Sequence, residues 1–289
     1  MSEAAAPVLR WLSCLGRKGF HDMAYWEWGA PDAARTALCV HGLARNGRDF
    51  DALAAALVAA GYRVVCPDVV GRGESGRLSD PLDYGLPQYQ SDLAALIARL
   101  DVEQVDWVGT SMGGLIALLT ACLPGHPIRR LVLNDVGPFV PQAALERIAG
   151  YVGRDLVWPD LAAAEAAIRE LYAPFGLTTD AQWRRFTEIS VRARPVGGWG
   201  RNYDLGIAEP LAAGPLSDID LWAQWDLLDL PVLVLRGERS DLLQPETAAQ
   251  MARRGPQARV LEVAGCGHAP ALMEASQIAP IVEWLRQGA

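Results

Sequence analysis

The stretch Gly109-Thr110-Ser111-Met112-Gly113 constrains this chain more than any other. It follows Val105-Asp106-Trp107-Val108, a short apolar run that reads as a buried strand. It precedes Gly114 to Leu119, which reads as the start of a helix. A strand that becomes a helix within a few residues must turn through a strained backbone, and only small neighbours leave room for that turn. Gly109, Gly113 and Gly114 supply the room. The turn lifts a serine hydroxyl to the end of a strand, beside a helix N-terminus. A bare G-x-S-x-G occurs by chance in Gly-rich chains. The flanking strand and helix make Ser111 a candidate nucleophile.

A serine needs a base, a group that orients the base, and donors for the developing oxyanion. Of the four histidines, His268 lies in a glycine-rich loop, Gly265-Cys266-Gly267-His268, after an expected strand over Ala258–Val263. The expected acid is Asp241, in the loop Gly237-Glu238-Arg239-Ser240-Asp241 that follows the strand Val232–Leu235. Asp135, at the end of the strand Leu131–Asn134, is the alternative acid. His41 precedes a glycine and reads as structural, Asp68 as the holder of its own loop, and His126 as a turn residue.

These segments, with Val40-His41-Gly42-Leu43 and Pro67-Asp68-Val69-Val70-Gly71-Arg72-Gly73-Glu74-Ser75, fall in a fixed order from about Trp11 to Leu285. In that order the chain resembles the α/β-hydrolase-fold serine hydrolases. The resemblance implies a mostly parallel, doubly wound sheet with a helical cap inserted after the sixth strand. It implies a Ser111–Asp241–His268 triad, with oxyanion donors at the N–H groups of Leu43 and Met112. It calls for no metal or organic cofactor. Within the family the chain is similar to bacterial carboxylesterases with helical lids, a group that includes enzymes cleaving polyester oligomers. The expected reaction is hydrolysis of a small-molecule carboxylic ester through an acyl-enzyme. A C–C bond hydrolase is the alternative, although such enzymes commonly carry a tryptophan where this chain has Ala269. A non-catalytic receptor of the same fold is a third reading. Dehalogenases and epoxide hydrolases of this fold use an aspartate where this chain has Ser111.

The strand–helix rhythm predicts a core domain over 1–137 and 219–289. Two strands, Trp11–Leu15 and Met23–Trp28, are expected to pair antiparallel at one edge. The rhythm breaks over 138–218, expected to be a helical lid. There Pro159 is placed as a first helical residue, and Thr179-Asp180-Ala181-Gln182 reads as a capping box. Nine aromatic residues fall in this segment against thirteen in the rest of the chain, which points to an apolar roof over Ser111. Phe139 and Trp199 are the expected substrate-binding roof residues. Arg192, Arg194 and Arg201 read as solvated, with an anionic substrate as the sharper alternative.

A net charge of −8 argues against nucleic acid as a partner. Five cysteines without metal-ligand spacing suggest a reducing, cytoplasmic setting. No signal peptide or membrane-spanning run is read at the N-terminus. The oligomeric state is not legible.

Overall fold

The computed structural model describes residues 6–287. In chain order the core opens with β1 (Val8–Gly16), β2 (Gly19–Trp28), β3 (Thr36–Val40), α1 (Asp51–Ala59), β4 (Arg63–Pro67) and α2 (Leu86–Leu100). It continues with β5 (Val105–Thr110), α3 (Met112–Ala121) and β6 (Ile128–Asn134). An insert follows: β7 (Phe139–Val140), α4 (Gln142–Ala149), α5 (Leu161–Leu171), α6 (Asp180–Ser190), β8 (Val191–Ala193), β9 (Trp199–Arg201), α7 (Glu209–Ala212) and β10 (Ile219–Asp220). The core then resumes with α8 (Trp222–Trp225), β11 (Val232–Gly237), α9 (Pro245–Met251), β12 (Arg259–Val263) and α10 (Ala275–Arg286).

Eight strands form one sheet in the order β1-β2-β4-β3-β5-β6-β11-β12. The β1–β2 and β2–β4 pairs are antiparallel and the rest are parallel. Every residue of β3 and β11 is buried, as strands covered on both faces require. One face packs on α1 and α10 through Phe50, Leu53, Leu57, Ile281 and Leu285. The other carries α2, α3 and α9, with Leu93, Leu96, Ile116 and Met251.

The insert hangs from a two-residue neck in which β7 pairs with β10. Its own core is Trp158, Ile168, Tyr172, Trp183 and Phe186. Thr179 and Gln182 close a reciprocal capping box at the start of α6. Pro159 lies outside α5. Asp160 is the N-cap there, its carboxylate accepting from the Ala163 N–H at 2.8 Å. Nor is the insert wholly helical. β8 and β9 form a hairpin closed by Gly197 and Gly198, both at positive φ (93° and 78°). A Gly-Gly between short runs carrying valine and tryptophan is a hairpin signal.

Candidate functional site

In an open parallel sheet, the carboxyl ends of the central strands converge on one rim, and the site forms there. β5 delivers Ser111 to that rim at φ 51°, ψ −117°, a strained backbone for a residue with a side chain. Its glycine neighbours are forced by contact. A Cβ on Gly113 would lie 2.1 Å from the Val40 carbonyl oxygen, and one on Gly109 would lie 2.5 Å from that of Gly113. The serine hydroxyl meets His268 Nε2 at 2.9 Å.

The acid beside His268 is Asp135, not Asp241. Asp135 Oδ2 lies 2.8 Å from His268 Nδ1. The same oxygen accepts from Ser240 Oγ at 2.6 Å, and Oδ1 accepts from the Gly237 N–H at 2.7 Å. The carboxylate is fully buried, and every contact it makes is to a donor. The reason is topological: β6 lies next to β5, so its end is one strand from the serine, whereas β11 is two strands away. The β11 loop still contributes, but through Ser240. The next residue, Asp241, turns outward and is half-exposed. It takes a bidentate contact from Arg147 of α4, with Nη2 at 2.9 Å. Asp241 therefore fastens the insert to the core.

Asn134 went unnoticed in the sequence. Its amide donates to Thr110 Oγ1 at 3.0 Å and to the Pro270 carbonyl at 2.9 Å, tying β5, β6 and the His268 loop together. Its position at a central strand end was the available signal.

His41 and Arg72 shape the loop opposite the serine. His41 is fully buried; its Nε2 accepts from the Val69 N–H at 3.0 Å, so Nδ1 carries the proton and donates to the Gly42 carbonyl at 2.7 Å. Burial holds its pKa down at about 3, and the nearby Arg72 and Arg45 charges push the same way. Arg72, also fully buried, donates to the carbonyls of Leu43 (2.9 Å) and Val70 (2.7 Å). The loop backbone comes close enough that a Cβ on Gly42 would sit 3.5 Å from Ser111 Cβ. Among the described residues, the N–H groups of Leu43 and Met112 donate to nothing in the chain. Met112 is the first residue of α3, where such a group is orphaned by the helix itself. Asp68 holds its own loop, accepting from the N–H groups of Gly47 (2.7 Å) and Glu74 (2.9 Å); burial raises its pKa to about 6.

The cavity over Ser111 is narrow, ≈ 50 Å³. Its roof is Tyr172, Phe175 and Phe186, stacked edge to face with centroids 4.9 to 5.6 Å apart, with Ile148 and Tyr151 alongside. Phe139 and Trp199 do not line it. Phe139 is spent in the neck opposite Asp220, and Trp199 pairs with Trp158 inside the insert. One charged pair borders the cavity: Arg45 lies 3.7 Å from the centre of the Phe186 ring and grips Asp49 through Nε at 2.9 Å and Nη2 at 2.6 Å.

Among the described residues, one group has donor atoms close enough to hold a metal: Cys14, His21 and Asp92, within 4.8 Å of one another. It lies under the β1–β2 edge, four strands from β5. Asp92 already takes His21 Nε2 at 2.9 Å and the Gln88 amide at 2.7 Å.

A sequence-family model for the alpha/beta hydrolase fold matches residues 38–275. The chain belongs to the α/β-hydrolase family. This α/β hydrolase is 45% identical over 289 residues to a 3-hydroxybutyrate-oligomer hydrolase of Cupriavidus necator, covering 96% of this chain and 97% of the relative. An α/β hydrolase of Novosphingobium aromaticivorans has a crystal structure that matches with a TM-score of 0.87 at 37% identity, over 97% of this chain and 98% of that one. A Rickettsia typhi structure matches this hydrolase with a TM-score of 0.91 at 30% identity, over 99% and 100%. Among the described residues, no helix of the hydrolase is long and apolar enough to cross a membrane.

Proposed function

We propose that this α/β hydrolase is a serine esterase cleaving ester oligomers of short hydroxyacids, with Ser111, His268 and Asp135 as its triad. The observation that carries the reading is the unbroken relay: Ser111 Oγ to His268 Nε2 at 2.9 Å, then His268 Nδ1 to Asp135 Oδ2 at 2.8 Å. His268 takes the serine proton as Oγ attacks the ester carbonyl. The carbonyl oxygen, now negative, is received by the free N–H groups of Leu43 and Met112, and the α3 dipole adds to that stabilisation. His268 returns the proton to the departing alcohol. Water then attacks the acyl-enzyme through the same base. Asp135, surrounded by donors, stays an acceptor throughout. It keeps the proton on Nδ1 and supports the imidazolium.

The substrate class rests on three supports. The cavity roof is aromatic. Among the described residues, the charged side chains bordering the cavity are Arg45 and Asp49, which cancel, and this suits an uncharged ester group there. The relative from Cupriavidus necator acts on 3-hydroxybutyrate oligomers. The free thiols support a reducing compartment. Cys39 and Cys66 lie on the paired strands β3 and β4, yet they and the other three cysteines are unbridged.

The test is hydrolysis of 3-hydroxybutyrate dimer and trimer, with p-nitrophenyl butyrate as a generic ester. Wild type cleaves all three and is labelled once by a serine-directed phosphonate. Ser111→Ala loses labelling and about 10⁴-fold or more of turnover. Turnover that survives in a clean Ser111→Ala preparation overturns the mechanism. Cleavage of the generic ester alone overturns the substrate class.

A further inference from the structure

An oligomer of hydroxyacid esters ends in a free carboxylate. Among the described residues, the one arginine lining the Ser111 cavity is Arg45, and Asp49 already matches it. Of the insert's three arginines near the hairpin, Arg192 is held by Asn202 and Glu74, and Arg194 by Asp155. Arg201, at the end of β9, differs. Its residue is 8% exposed, its Nε is buried without an acceptor, and among the described residues it has no carboxylate partner and no side-chain hydrogen bond. Its guanidinium lies 5.4 Å from the centre of the Trp158 ring. Burying a cation without an anion is costly, and an anionic ligand would offset that cost.

The position of Arg201 fits that need. It lines a groove of ≈ 460 Å³ together with Tyr151, Arg154, Trp158 and the exposed Glu170. Tyr151 lines both this groove and the Ser111 cavity. The nearby Tyr203 hydroxyl is buried without a hydrogen bond that meets ordinary geometry; the Gly153 N–H is in its vicinity.

We propose that Arg201 anchors the free carboxylate of an ester oligomer whose scissile bond lies at Ser111. This rests on the ester-oligomer reading above. The carboxylate belongs to the alcohol side of the scissile ester, the part that departs first. The chain passes Tyr151, and its carboxylate meets the guanidinium as a fork-shaped pair. Arg201 thereby makes the enzyme selective for oligomers with a free acid end over neutral esters of the same length.

The experiment compares kcat/KM for 3-hydroxybutyrate dimer, trimer and tetramer as free acids and as their terminal methyl esters. For wild type, the free acid is preferred at the length that spans the two spaces. Arg201→Gln lowers the acid-to-methyl-ester ratio there by roughly ten- to hundredfold, the strength of a hydrogen bond to a charged group. Arg201→Lys keeps the charge and loses less. A ratio unchanged by Arg201→Gln overturns the proposal, even if both rates fall. If that variant does not fold, wild type alone decides. Free 3-hydroxybutyrate trimer acid must compete with p-nitrophenyl butyrate better than its methyl ester does, and equal competition overturns the proposal. If no ester of any kind is turned over, it is the esterase reading that has failed.

Discussion

Asp135→Asn and Asp241→Asn, made side by side, separate two carboxylates that the sequence ranks in the opposite order to the structure. Asp135 receives three donors: the Gly237 N–H, the Ser240 hydroxyl and His268 Nδ1. Ser240 cannot reverse its bond freely, because its oxygen already accepts from the N–H groups of Leu242 and Leu243. An asparagine offers one acceptor oxygen and one NH₂. With the NH₂ toward His268, the imidazole must move its proton to Nε2, and Ser111 loses its base. With the NH₂ toward Gly237, two N–H groups collide. Either way a buried donor is stranded, at a cost of about 1–3 kcal/mol in stability. The wrong tautomer costs roughly 10²–10⁴ in kcat, and a factor of 10⁴ is about 5.5 kcal/mol of barrier. Asp241→Asn breaks a half-exposed ion pair worth about 0–1 kcal/mol, and kcat stays within a few-fold. The assay is kcat on p-nitrophenyl butyrate, with thermal melts of each variant. A crippled Asp241→Asn beside a near-normal Asp135→Asn would refute the assignment.

Phe175→Ala opens the roof and is expected to shift the kcat/KM optimum toward longer acyl chains. Trp199→Ala lowers Tm and leaves the profile across chain lengths parallel to wild type; a reshaped profile in Trp199→Ala would contradict this. Gly113→Ala drives a Cβ to 2.1 Å from the Val40 carbonyl and destabilises the fold by about 3 kcal/mol or more, read by denaturant titration. The pKa of His41 falls from 6.5 to about 3 on folding, so its contribution to stability is complete above pH 6.5 and is lost as pH drops toward 3. The pKa of Asp68 rises from 3.8 to about 6, so its contribution runs the other way and is lost as pH rises through that window. Each slope is at most about 1.4 kcal/mol per pH unit. The stability gap between wild type and His41→Asn should therefore narrow from pH 6.5 to 4, and a constant gap would show that His41 does not titrate this way.

The sheet, the elbow and the histidine loop were legible because each is written locally. Apolar runs mark buried strands, and glycines mark the places where backbones touch. The acid was not legible, because its identity depends on which strand end lies beside β5, and strand order is not written in any short segment. Both candidate loops do reach the site, one with a carboxylate and one with the hydroxyl of Ser240. The roof was misplaced for a related reason. Aromatic enrichment showed that the insert would be apolar, but not which face of it turns toward Ser111. Phe139 and Trp199 went to the neck and to the interior of the insert, while Tyr172, Phe175 and Phe186 turned inward. Arg201 could be noticed in the sequence, but only the pairing of its neighbours sets it apart.

The neck formed by Phe139–Val140 and Ile219–Asp220 has a consequence for how such an enzyme diversifies. Ser111, His268 and Asp135 all lie outside the segment it closes, and the aromatic roof and Arg201 all lie within. A lineage can therefore rewrite the insert, lengthening or replacing it, while the relay at the strand ends is inherited intact. Reactivity and taste are encoded in separate stretches of one gene, joined at two seams a few residues wide.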